Sequence, residues 1–440
     1  MKLIFKTFLI SLFCYYNLAA QEAPSTKEFE AAGVKVIARE SVKGTVSARV
    51  FLLGGVANYP AEKQGVEEIM LTLIAEGGPA SMEKQEYQRT LEKIGARINS
   101  STGYDYSNIS LNCIKPYWKS SWQIFSAAIT DPAFRQEDFD LVKNKLITAA
   151  KQAKTNPDAH LSNLSMENAW EGTDYAKRPS GTVESLENIT LRDVQGYYKR
   201  LFGKDRVFVV VVGDLNFDQV QDFMAQSFEK LPQGTPPPSI YAGEKVEEGL
   251  MVEDRNIETN YIRGVFDAPM KGTDASIHNA LAMRILGRRF FEELRTKRSL
   301  SYAPSARTTG YAARPMNQVY ISTTDPEQSL EVMVDLVNQV RTDGFEKKEL
   351  DGTKQTFLTN YYMGQETNSS ISMSLGVNEI YGGWENMDRF TDRVLATELD
   401  DINTVMRTYG DEIHWTYLGK EELVKPKMFS QPVKAKKVKK

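Results

Sequence analysis

Histidine is nearly absent from this chain. Its 440 residues hold three, His160, His278 and His414, each more than a hundred positions from the next. No two have the close spacing that lets imidazoles share a metal ion, so each reads as a surface or packing side chain. Cysteine is scarcer, with Cys14 and Cys113 only, which excludes a disulfide framework. Beyond the N-terminus no stretch reaches the ~20 apolar residues of a membrane helix. Positive charge is not in excess: 54 Lys and Arg face 58 Asp and Glu, for a formal net charge of −4. Seven lysines follow Val424 with no acid among them, so the rest of the chain is more acidic still. A nucleic-acid binder needs the opposite balance and is excluded.

What is present fits an exported globular protein. Hydrophobic residues make up 41% and charged residues 25%, enough for more than one domain with its own core. Lys2 and Lys6 precede an apolar run over residues 8–16, then Ala19, Ala20 and a polar start at Gln21. This order predicts a signal peptide over 1–20, too short for a membrane span. Cys14 follows the bulky Phe13, which disfavours a lipid-attachment site. Cleavage after Ala20 leaves Cys113 alone, so the mature chain has no internal disulfide. That usage fits a periplasm better than a eukaryotic secretory route. The basic tail over 425–440 is expected to be solvated, with weak attraction to anionic membrane surfaces or acidic partners as its partner chemistry.

Apolar periodicity divides the remainder. Residues 34–40 and 46–53, joined by SVKGT, read as a β-hairpin. Val66, Ile69, Met70, Leu73 and Ile74 mark a helix with one buried face, stopped at Gly77-Gly78. Glu67, Glu68 and Glu76 on that helix read as a solvated face. Strands are expected within 96–114, around a turn near Gly103, with Cys113 as a small buried strand residue. Helices are expected near 84–94, 120–129, 136–154 and 162–169. VFVVVV, residues 207–212, reads as a fully buried strand. PQGTPPPS, within 232–245, reads as a linker between an N-terminal domain (21–231) and a C-terminal one (246–424). TLRDVQGYYKRLFGKDRVFVVVVGDLNF and ELDDINTVMRTYGDEIHWTYLGKEELV both give a helix, a strand and then Gly with a charged residue. They predict two copies of one α+β fold.

One stretch stands out in the second half: LGRRFFEELRTKRSLSY, residues 286–302. Phe290, Phe291 and Leu294 predict an apolar helix face, and basic residues crowd the helix end. Tyr302 is expected half-buried at the start of the next strand. A guanidinium and a phenol held there could grip a peptide backbone or an oxyanion. The pattern L-R-x-K-x-x-L-x-Y resembles the Arg/Tyr signature of the pitrilysin or insulinase-type zinc peptidases, in their mitochondrial-processing-peptidase-like bacterial branch. The resemblance covers roughly residues 33–424. It implies two homologous domains, each a mostly antiparallel sheet with helices packed on one side. It also implies that Arg295 and Tyr302 contact substrate.

The same resemblance places a zinc motif, K-x-G-[aliphatic]-x-H-x-x-E-H, on Lys63, Gly65 and the helix that follows. The two histidines then fall on Glu68 and Thr72, the general base on Leu71, and the third ligand on Ala149. None of these residues supplies the lost chemistry, and no metal is expected in this chain. The glycine-rich loop found before the Arg/Tyr element in some relatives is contracted here to LGRR. The resemblance therefore implies a non-catalytic member. Its expected partner is a homologous zinc-carrying subunit in a heterodimer, and the zinc would lie in that partner. Peptides are the expected substrates. The alternative is a peptide-binding or scaffold protein of the cell envelope with no peptidase role.

Overall fold

The computed structural model describes residues 25–429. The expected signal peptide and residues 430–440 of the basic tail lie outside the described residues. In the N-terminal half, strands β1 (Thr26–Ala31), β2 (Val34–Glu40), β3 (Thr45–Leu53), β4 (Arg97–Ser101), β5 (Tyr106–Ile114) and β6 (Val207–Gly213) form one sheet. Its order is β1-β2-β6-β3-β5-β4. In the C-terminal half, β7 (Gly249–Asp254), β8 (Asn260–Asp267), β9 (Ser305–Thr309), β10 (Met316–Thr323) and β11 (His414–Gly419) form a second sheet, ordered β7-β11-β8-β10-β9. Helices α1 (Val66–Gly77), α2 (Lys84–Lys93), α3 (Trp118–Thr130), α4 (Gln136–Thr155), α5 (Pro157–Ala169), α6 (Val183–Glu187), α7 (Leu191–Leu201) and α8 (Phe217–Phe228) belong to the first half. The second holds α9 (Asp274–Phe290), α10 (Pro326–Thr342), α11 (Lys347–Met363), α12 (Asn368–Ile380), α13 (Asn386–Ala396) and α14 (Leu399–Tyr409).

The repeat expected from the two helix–strand segments is present in the pairing. β6 runs parallel to β2 and antiparallel to β3. β11 runs parallel to β7 and antiparallel to β8. Thus β2, β3, β4, β5 and β6 correspond to β7, β8, β9, β10 and β11, with β1 an added edge strand. The same pairing overturns the expected hairpin. β2 and β3 are not neighbours, because β6 lies between them, and β2 instead turns back on β1. VFVVVV can be apolar throughout because both faces of β6 are covered. Val207, Val209 and Val211 join the core beneath α1, whereas Phe208, Val210 and Val212 face the other way.

That second face is covered by the other half. α12 packs across β3 and β6, and Leu375 sits with Ile37, Phe51 and Phe208. Gly376 is required there, since a Cβ would lie 2.1 Å from the Phe51 ring. Reciprocally, α5 of the first half packs across β8 and β11. The corresponding helices of the repeat are therefore exchanged, each closing the other's sheet.

A buried carboxylate, Asp105, ties the same junction. It accepts from the hydroxyls of Tyr175 (2.6 Å) and Tyr381 (2.9 Å) and from the backbone of Ala312 (2.8 Å). The expected linker is strapped down: Arg206 donates to Thr235, and Ala242 is buried. The C-terminal core extends to Phe429, which stands edge-on to Trp415.

Candidate functional site

α1 carries the positions where the family motif would place zinc ligands. Its apolar stripe packs into the first core as expected, with Val66, Ile69, Met70, Leu73 and Ile74 all buried. Leu71 belongs to that core and is 1% exposed. Glu68 and Thr72 lie at the helix margin, half-buried, and Glu68 accepts a hydrogen bond from Thr102. Ala149 is exposed on α4, which packs against α1. Among the described residues no group of three or more His, Cys, Asp or Glu could hold a metal ion. The three histidines lie elsewhere. His160 on α5 meets Glu253 at 2.8 Å, His278 lies 3.9 Å from Asp401, and His414 is on β11 with its Nε2 buried and without a partner. Burial lowers the His414 pKa.

Glu67 departs from the expected solvated face. It is 1% exposed and accepts from Asn58 (3.2 Å), Ser107 and Tyr197. Arg206 donates to the other end of Asn58 at 2.5 Å. Burial pushes the Glu67 carboxyl above its ordinary range, against the hydrogen bonds that favour the anion. The network pins α1 to β5 and α7. One position along the helix separates the inward Glu67 from the marginal Glu68, which periodicity alone does not resolve.

The Arg/Tyr element lies in the second half. α9 passes without a break into a π-helical turn, Phe291–Lys297. Phe290 and Leu294 are buried, but Phe291 is 45% exposed, so the expected three-residue apolar face holds for only two. The wider π turn changes the angular phase along the helix. Tyr302 is not half-buried at a strand start. It lies in the loop before β9 and is 79% exposed.

The basic residues of this stretch divide by role. Arg289 grips Glu349 of α11 through two bonds, at 2.9 and 2.6 Å, and Arg288 reaches Thr353. Lys297 and Arg298 are neutralised by Glu292 and Glu293. Arg295 has no ion pair among the described residues. Its guanidinium lies between two rings, 4.2 Å from the centre of Tyr302 and 4.8 Å from that of Phe291. A stacked guanidinium keeps its in-plane N–H donors available, because the rings occupy only its faces. Arg295 and Tyr302 are thus brought together as the sequence implied, and Phe291 is a third member that sequence reasoning assigned to the core. An acceptor such as a peptide carbonyl could take those donors.

One further feature suits an extended peptide. β4 is the outer strand of its sheet, paired only with β5, and it lies against α1. Its free edge offers backbone N–H and C=O groups beside the positions of the family's metal motif.

Two family profiles match the chain in succession. The profile described as insulinase (peptidase family M16) spans residues 35–182, and that of the peptidase M16 inactive domain spans 188–357. The non-peptidase homolog YmxG of Helicobacter pylori is 24% identical over 379 residues, covering 83% of this chain and 86% of that protein. A solved peptidase M16 inactive domain from Pseudomonas fluorescens superposes with a TM-score of 0.83 at 19% identity, over 90% of this chain and 98% of that one. A protease structure from Helicobacter pylori gives 0.83 at 16% identity, over 90% and 100%. At these identities the structural likeness speaks for the two-domain fold.

Proposed function

The chain belongs to peptidase family M16, the insulinase family, and on that premise we propose that it is a non-catalytic subunit of an exported zinc metallopeptidase assembly. It holds peptide and completes the active site of a homologous zinc-carrying partner. The observation that carries this reading is a mismatch within one chain. The metal positions are Glu68, Leu71, Thr72 and Ala149, with Leu71 built into the core. Yet Tyr302 is exposed with the half-buried Arg295 against its ring, and the guanidinium has no ion pair among the described residues. A charge held open at a helix end contributes little to folding. It gains a use when a peptide carbonyl next to a metal-bound water develops negative charge. In the assembly, Arg295 and Tyr302 would donate to that oxygen and to the substrate backbone, and a zinc held by the partner would supply the Lewis-acid chemistry.

Export to the periplasm follows from residues 1–20, and weak attraction to the membrane surface from the tail lysines. A scaffold role without peptidase function is the second reading. It is favoured by the exchanged helices and the Asp105 junction, which brace the two halves without reference to Arg295. Purification of the mature chain with and without a zinc-bearing homologue from the same organism separates the readings. The first expects a stable heterodimer with one zinc, and none in this chain alone. Stoichiometric zinc in the isolated chain, or no association, contradicts it.

A further inference from the structure

Among the described residues five arginines are buried: Arg39, Arg49, Arg206, Arg263 and Arg314. Arg39 pairs with Asp388, Arg314 with Asp267, and Arg206 lies in the Glu67 network. Arg49 and Arg263 have no ion pair among the described residues, and the Nε of each is buried without an acceptor. These two occupy the same place in the repeat. Arg49 on β3 lies opposite Ser110 and donates to Asn108, two residues back on β5. Arg263 on β8 lies opposite Tyr320 and donates to Gln318, two residues back on β10.

The copies differ at the next strand. Asn108 faces Ser101 on β4, whereas Gln318 faces Arg307 on β9. In the first half the lone Arg49 is covered by α12, where Ser369 lies 3.4 Å away. In the second half two guanidiniums flank one amide across three adjacent strands, on the face turned toward the first half. Arg263 is 7% exposed, and Arg307 opens to solvent. Tyr104 and Tyr311, with ring centres 4.9 Å apart, stand over the same face, together with Tyr320. The acids that α5 brings to this junction are committed: Asp158 accepts from Tyr320, and Glu167 pairs with Arg178 at 2.5 Å. Burial and the second cation hold Arg263 down to about 10. A buried, unpaired charge is costly for folding, and two cations side by side add repulsion. An oxyanion arriving from outside would relieve both.

We propose that Arg263, Gln318 and Arg307 form a carboxylate-binding site for an acidic peptide that docks at the solvent-open, β9 end of this face, where Arg307 is exposed. It rests on the peptide-holding reading above and adds to it a preference for peptide acidity. The carboxylate oxygens would accept from Arg307 and from the accessible part of Arg263, with tyrosine rings packing against the adjoining peptide. The carboxylate can come from an Asp or Glu side chain or from the peptide C-terminus.

The test measures fluorescence anisotropy of short labelled peptides on the full mature chain. The peptides are identical except that a central Glu is replaced by Gln, or the C-terminal carboxylate by an amide. The expected result is about tenfold tighter binding of the charged form, lost in Arg307→Gln and in Arg263→Met. The substitution that removes the preference, Gln or amide, identifies which carboxylate binds. Arg307 is exposed, so Arg307→Gln should fold normally. Arg263→Met should keep or raise the Tm, since it removes an unpaired buried charge. Equal binding of charged and neutral peptides by the unaltered chain overturns the site alone, as does a preference that survives Arg307→Gln. Binding of no peptide at all overturns both the site and the peptide-holding reading.

Discussion

In the N-terminal half, the helix that carries the family's metal motif has turned its chemistry inward. Leu71 fills the core, and Glu67 is consumed by Asn58, Ser107 and Tyr197. In the C-terminal half, the corresponding helix α9 ends in a π turn that sets Arg295 against the exposed Tyr302, and Arg295 has no ion pair among the described residues. The two halves share one strand topology and one exchange of helices, so the fold does not account for the difference. Side chains do. A polar group satisfied within the chain stabilises the fold, and one left open is available for binding.

The contrast can be broken at the packing that both halves share. Gly376→Leu forces a branched side chain against the Phe51 ring, which is stacked on Phe208 at 4.8 Å and cannot yield. It should cost about 3 kcal/mol or more, read as a lower urea midpoint with both halves unfolding together. Unfolding of the C-terminal half alone would show that α12 does not bind the halves into one unit.

Glu67→Ala strands the donors of Asn58, Ser107 and Tyr197 and should cost about 2 kcal/mol by the same measurement. A neutral result would mean that the inward network carries no stability. A pH series sharpens the point. Because burial raises the Glu67 pKa, its contribution is fully present below the ordinary glutamate value of 4.5 and is lost as pH rises through the raised one. The Tm of the unaltered chain minus that of Glu67→Gln should therefore fall from acidic toward neutral pH. A flat difference would contradict the burial argument. The smallest effect is expected at the open site. Tyr302→Ala should change unfolding free energy by no more than about 0.5 kcal/mol, since the ring is 79% exposed. A larger loss would make Tyr302 a structural residue.

Much of this was legible in the sequence because it is local. The stripe Val66, Ile69, Met70, Leu73 and Ile74 gave α1, and the glycine pair gave its end. The Arg295 and Tyr302 spacing located a pair that lies in contact. What was missed depends on distant partners. The four-residue link 41–44 is compatible with a hairpin, and only the arrival of β6, far along the chain, separates β2 from β3. Glu67 looked solvated because its hydrogen-bond donors are supplied by residues 58, 107 and 197. Asp105 sits between two tyrosines in YDY, a sign of burial in hindsight, but its partners come from both halves. Phe291 was misplaced because the stretch was read with α-helical phase.

The central claim is that Arg295 and Tyr302 work on a zinc site in another chain. Peptidase activity of the heterodimer with Arg295→Ala in this subunit tests it most directly. Activity should fall about 100-fold, the scale of losing one oxyanion donor, with the amount of heterodimer and its zinc content unchanged. Full activity in an intact Arg295→Ala heterodimer would contradict the account.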